Sequence, residues 1–164
     1  EYLGGTTGVA TPTRVIKQAD VIAMLVFLRP SSKIQYLDRN YKFYLPYTEH
    51  GSSLSSSAYS IAAALCDDID AAYSLFRKSS SIDLGGEQKN YAGGVYIGGT
   101  HPASNAGAIL SLMCGLMGMR VIDEEISFEP HLPDHFEKVE ATFLFRGIKY
   151  HITVNKEGYK LQGE

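Results

Sequence analysis

The chain lacks any apolar run long enough to cross a bilayer. Its longest, Val21 to Leu28, is eight residues, against the roughly 20 a membrane helix needs. It has no secretory leader pattern, which excludes a signal peptide from this stretch. Basic residues occur singly, and the net charge is −3. Neither a basic stripe nor a global positive field is available to attract nucleic acid or an anionic membrane. Cysteine is scarce: Cys66 and Cys114 each sit in an apolar helical stretch and read as small core residues of a reducing compartment, not as a disulfide framework. The chain opens EYLGG without an initiator methionine. That is compatible with a tag scar or processing and equally with a fragment of something longer; the few short strands and the aromatic excess of the helices hint at a larger body.

What is present is enough apolar material for a sizeable core: 45% of 164 residues. The first ~118 residues read as helices and loops and the last ~46 as strands, an α+β chain divided into 1–118 and 119–164. A helix is expected from about Thr13 to Arg29, apolar nearly all round and therefore buried on every side. A second, Lys33 to Tyr44, is rich in tyrosine and stops before Pro46. Leu54, Ala58, Ile61, Ala62 and Leu65 mark one face of a third. A fourth begins at Asp67 or Asp68 as N-cap, with Ile69, Ala72, Tyr73 and Phe76 inward. After a glycine-punctuated loop, Gly85 to Gly99, a last helix carries Ala103, Ala106, Leu110, Met113 and Met117 in register. Beyond Met119 the period changes to two. Val139, Ala141, Phe143 and Phe145 alternate with polar neighbours, Arg146-Gly147 turns the chain, and Ile148, Tyr150, Ile152 and Val154 return. Shorter strands are expected at 120–122, 126–128 and 159–161.

The chemistry concentrates in YTEHGSSLSSS (47–57). A helix starting near Leu54 would turn its free N–H groups and positive dipole end toward this loop. With His50, Ser52 and Ser53 alongside, the stretch fits an anion cradle for phosphate or sulfate. It fits equally a polar loop ending in a serine-capped helix. A nucleophilic serine fits poorly, because GSSLS lacks the second glycine of the nucleophile elbow and no strand precedes it. Lys17-Gln18 could hold sugar hydroxyls or could be an exposed first turn. Gly98-Gly99 could form a second anion-binding wall. His131 and His135, separated by Pro133, do not make a metal site. Asp67, Asp68 and Asp70 read as a helix start complementing the dipole.

In order along the chain, VIKQADVIAMLVFL (15–28), YKFYLPYTEHGSSLSSSAYSIAAAL (41–65), GGVYIGGTHPASNAGA (93–108), GLMGMRV (115–121) and ISFEPHLP (126–133) resemble the C-terminal part of glycoside hydrolase family 65. That resemblance implies the last helices of an (α/α)6 toroid followed by a small jelly-roll-like β domain. It implies an inverting disaccharide phosphorylase that cleaves an α-glucoside with inorganic phosphate and releases β-glucose 1-phosphate. Carried over by position, Lys17 and Gln18 would contact the glucosyl unit. His50, Ser52 and Ser53 would bind phosphate, with Gly98 and Gly99 nearby. The general-acid glutamate would lie upstream of residue 1, so no catalytic residue is named in this chain, and the chain alone should catalyse nothing. The loop GGTHPASNAG departs from the maltose-type wording toward the kojibiose-like side. The implied partners are a disaccharide and phosphate, with no metal or organic cofactor, no nucleic acid and no membrane. A cytoplasmic homodimer is what the family suggests. A hydrolytic relative and a freestanding carbohydrate-binding or structural domain are the alternatives.

Overall fold

The computed structural model describes residues 15–16, 18–28, 34–48, 53–82, 84, 91–92, 95–96 and 101–164. Among the described residues five helices come first: α1 (Asp20–Phe27), α2 (Ile34–Tyr44), α3 (Ser55–Leu65), α4 (Ile69–Ser80) and α5 (Pro102–Leu110). A 3-10 turn, Leu45–Tyr47, follows α2, and a π-helical segment, Ser111–Leu116, extends α5. The strands are β1 (Tyr91–Ala92), β2 (Val95–Tyr96), β3 (Met119–Ile122), β4 (Glu125–Phe128), β5 (Val139–Phe145), β6 (Ile148–Asn155) and β7 (Gly158–Gly163). They pair antiparallel as β1-β2, β3-β4 and β5-β6-β7. The α+β order expected from the sequence is therefore the observed one. No helix among the described residues is long and apolar enough to cross a membrane.

At the centre lies α3, SSSAYSIAAAL, buried along its whole length and on every face. Its serines and alanines make this possible, because small side chains let α1, α2, α4, α5 and the π segment close around it. The one-face stripe expected for this helix is thus a helix without an exposed face, while Leu54, assigned to the stripe, is exposed. The close approach shows at Gly107, where an added Cβ would stand 2.5 Å from the Ser57 Oγ. On α5 the buried side is Ser104, Gly107, Ala108 and on into Ser111, not the expected stripe, whose Ala103 and Ala106 face solvent. α4 follows the expected pattern, capped by Asp68, whose side chain accepts from the Ala71 N–H.

α1 departs from expectation at both ends of the argument. Residues 15–16 are extended, and the helix starts at Asp20. Ile22 and Val26 are buried, but Met24, Phe27 and Leu28 are 52%, 50% and 75% exposed. An all-apolar sequence gives no signal of which face turns inward. Neither cysteine is in a disulfide, and both are half-buried and packed against the core, in line with the reading of them as small core residues. Within the stretch expected to be loop, β1 and β2 form a short hairpin.

Helices and sheets share one core, in which Leu116, Met117, Phe128, Leu132, Ile152 and Val154 join the residues of α3. The joint is a tight turn at Gly118, φ +68°, where any Cβ would collide with the Glu129 backbone. Backbone bonds from Glu129 N–H to the Gly118 carbonyl (3.1 Å) and from His131 N–H to the Leu116 carbonyl (2.8 Å) fix it. The β5–β6 turn at Arg146-Gly147 has both residues at positive φ, as a two-residue hairpin requires.

Candidate functional site

The segment that leads into Lys17-Gln18 and the one that leads into Glu49-His50 run side by side. The Ile16 N–H donates to the Tyr47 carbonyl at 2.7 Å, and Ile16 forms a one-residue parallel bridge with Thr48. Thr48 is the anchor of this contact. Its Oγ1 donates to the Tyr44 carbonyl (3.0 Å) and accepts from the Tyr59 hydroxyl at 2.6 Å. That second bond, buried, ties the end of the 3-10 turn to the middle of α3. Burial holds the Tyr59 phenol above its ordinary pKa and so keeps it protonated and donating. Gln18, half-buried, lies two residues after Ile16 and precedes the buried Ala19 at the entry to α1.

A second tie sits at the start of α3. The Ser53 carbonyl accepts from the Ser104 Oγ at 2.8 Å, and the Ser104 carbonyl accepts from the Ser79 Oγ at 3.1 Å. Ser57 and Ser111 join the same serine network, with the Ser111 Oγ reaching the Ser57 carbonyl at 3.1 Å. Thus the helix that follows Gly98-Gly99 in sequence is locked to the turn containing Ser53. The N-cap of α3 is Leu54, which makes no side-chain cap bond. The serine-capped reading of this helix is thereby corrected: the first-turn N–H groups have no serine hydroxyl closing them off from an N-cap position.

Of the residues singled out in the sequence, Gln18 and Ser53 are described, and Lys17, His50, Ser52, Gly98 and Gly99 lie outside the described residues. Gln18 and Ser53 share no hydrogen bond with one another; they are related through Thr48 and Tyr59 on one side and through Ser104 on the other. Thr48, Tyr59 and Ser104 were not singled out in the sequence. Ser104 could have been, because Ser104, Gly107, Ala108 and Ser111 have the i, i+3, i+4, i+7 spacing of a close-packed helix face. Among the described residues, a groove of about 330 Å³ runs along α4 by Tyr73, Arg77 and Lys78, and another of about 210 Å³ lies where Phe27 and Cys114 meet β3. Neither is lined by a sequence-predicted site residue.

Comparison with known families covers both the helical part and the strands. The profile for "Glycosyl hydrolase family 65 central catalytic domain" matches residues 7–109, and that for "Glycosyl hydrolase family 65, C-terminal domain" matches residues 119–164. The chain belongs to glycosyl hydrolase family 65. A nigerose phosphorylase of Lachnoclostridium phytofermentans is 43% identical over 96% of this chain. A 1,2-alpha-glucosylglycerol phosphorylase of Bacillus selenitireducens is 38% identical over 96% of it. This family 65 chain spans 21% of the length of each. A solved structure titled as a putative kojibiose phosphorylase from human microbiome superposes with a TM-score of 0.78 at 24% identity, covering 93% of this chain and 22% of that one. At that identity the likeness is one of fold.

Proposed function

We propose that this chain is the C-terminal segment of an inverting α-glucoside phosphorylase, which transfers a glucosyl unit from a disaccharide to inorganic phosphate. In this reading residues 1–118 close an (α/α)6 toroid and 119–164 form its small β domain. The relatives named above are phosphorylases of glucosides. The observation that supports the reading is the Ile16–Thr48 bridge, which joins the segment leading into Lys17-Gln18 to the segment leading into the string after Thr48.

Lys17 would donate to glucosyl hydroxyls, and Gln18 would both donate and accept. His50, Ser52 and Ser53 would hold phosphate on the opposite face of the anomeric carbon, with Gly98 and Gly99 allowing close backbone approach. Phosphate here takes the place of the activated water of an inverting hydrolase, so donors stand where a base carboxylate otherwise would. Hydroxyl and imidazole donors orient the anion while leaving one oxygen free to attack. A glutamic acid upstream of residue 1 would protonate the departing glycosidic oxygen. Inversion of an α-glucoside then gives β-glucose 1-phosphate. The reaction needs no metal or organic cofactor, and a cytoplasmic homodimer is the expected form.

The test is phosphate dependence of the longer protein carrying this chain, on a panel of α-glucobioses including nigerose and kojibiose. Sugar release should require phosphate, with β-glucose 1-phosphate visible by NMR. Undiminished release in phosphate-free buffer would make it a hydrolase and end the proposal. The 164-residue chain alone should show no turnover.

A further inference from the structure

Away from the Ile16–Thr48 bridge, the groove of about 330 Å³ along α4 has a lining with a chemical order of its own. Asp70, Tyr73, Ser74, Arg77, Lys78 and Ser81 stand at i, i+3, i+4, i+7, i+8 and i+11, one face of the helix. The buried residues of α4, Ala72 and Ser79, belong to another face. A polar helix face ordinarily turns its charges into water. Two observations set this one apart. Lys78 is half-buried, and burial lowers its pKa, so this cation is held partly out of solvent. The Tyr73 ring is also half-buried and is pinned by T-shaped contacts with His135 (4.8 Å between centroids) and Phe136 (5.4 Å). Those two rings come from the segment between β4 and β5, so the groove has a fixed aromatic element that α4 alone would not supply.

The lining sorts along the helix axis. Asp70, Tyr73 and Ser74 offer a carboxylate acceptor, an aromatic ring and a hydroxyl, a set suited to the hydroxyls and apolar face of a sugar ring. Arg77, Lys78 and Ser81, on the following turns, offer a guanidinium fork, an ammonium and a hydroxyl, a set suited to an oxyanion. Successive turns are about 5.4 Å apart, and long side chains on a helix lean toward its N-terminus. Both cations therefore reach back toward a substituent on a ring that lies by Tyr73. Two cations against one carboxylate leave the groove net positive. Its volume is at the small end of the ~300–1,000 Å³ of ligand pockets, which suits one sugar and not a chain. We propose that the α4 groove is a binding site for a phosphorylated sugar, its ring at Tyr73 and its phosphate between Arg77 and Lys78. No residue of the phosphorolytic reading lines the groove, and the proposal does not rest on that reading.

The experiment is footprinting of the longer protein carrying this chain: phenylglyoxal modification of Arg77 in phosphate-free buffer, read by peptide mass spectrometry. The probes are glucose 1-phosphate, glucose and inorganic phosphate. At about 20 mM glucose 1-phosphate the Arg77 rate should fall about fivefold, as for a Kd of ~5 mM in an open groove. Glucose or phosphate alone should slow it less than about twofold. Arg39 on α2, also exposed, should react at one rate throughout. Asp70→Asn and Ser74→Ala, at exposed positions that leave the fold intact, should each weaken the protection about twofold. An Arg77 rate unchanged by glucose 1-phosphate overturns the proposal. So does equal slowing by phosphate alone, which would mark an adventitious ion only, or equal slowing of Arg39. Full protection in both variants overturns it as well, because the sugar half of the groove would then play no part. The readout does not depend on turnover. A parent that releases sugar without phosphate ends the functional reading and leaves this site standing; a phosphate-dependent parent with an unprotected Arg77 does the reverse.

Discussion

Cys66 ends α3, its N–H bonded back to the Ala62 and Ala63 carbonyls at 3.0 Å. Burial pushes its thiol up to about 11, with the Asp38, Asp67 and Asp68 carboxylates adding to the effect. The thiolate is the reactive form. At pH 8 a thiol of pKa about 11 is about one part in a thousand ionised, against about one in ten at the ordinary 9.0. Alkylation of Cys66 by iodoacetamide at pH 8 should therefore run about 100-fold slower than that of a free thiol, and accelerate up to pH 11. Peptide mass spectrometry over a time course reads this directly. Labelling at the free-thiol rate would mean that Cys66 is not held as described.

The helix pair α3 and α5 meets through residues too small to leave slack. Gly107→Ala would gain about 1 kcal/mol of helix propensity. The new Cβ would stand 2.5 Å from the Ser57 Oγ and 2.7 Å from its Cβ. The hydroxyl can rotate away, but the Cβ cannot move without shifting a helix that is packed on all sides. Overpacking therefore outweighs propensity, and a net loss of about 1–2 kcal/mol is expected in urea unfolding. A variant as stable as the parent would show slack at this crossing. The same smallness limited what the sequence could say. The strands were legible because one face is wet: β5 alternates half-buried and exposed residues without a break. α1 was not, since an apolar run states that a helix is wanted but not which side is covered. On α5 serine and glycine form the buried face, which a search for large apolar residues passes over. The candidate site reads in the sequence as two strings, Lys17-Gln18 and the serine cluster. The bridge between Ile16 and Thr48, on the segments that lead into the two strings, depends on chain path, and no local pattern encodes it.

Across the whole molecule, the titrating groups that burial perturbs combine into one alkaline signature. Burial, then the hydrogen bond to Asp68 (2.8 Å), raises the Tyr41 phenol far above its ordinary 10.0. Burial also raises Tyr59 and Cys66. In each case the folded state keeps a proton that the unfolded chain releases at the ordinary pKa. The unfolded state then binds fewer protons, so stability falls as pH rises. The contribution of Cys66 is whole below pH 9.0 and is lost by about 11; those of Tyr41 and Tyr59 start to go at 10.0. Lys78 opposes them, because burial lowers its pKa and the unfolded chain binds more protons just below 10.5. Lys42, raised by its bond to Asp38, works in the same direction as the phenols but is fully exposed and screened. Three buried groups against one give a net loss. The urea midpoint should fall steadily between pH 8.5 and 10.5, with Cys66→Ala flattening the first part and Tyr41→Phe the second. A flat midpoint over that range would mean that these groups titrate alike in the folded and unfolded chain, and that the joint of α2, α3 and α4 admits water.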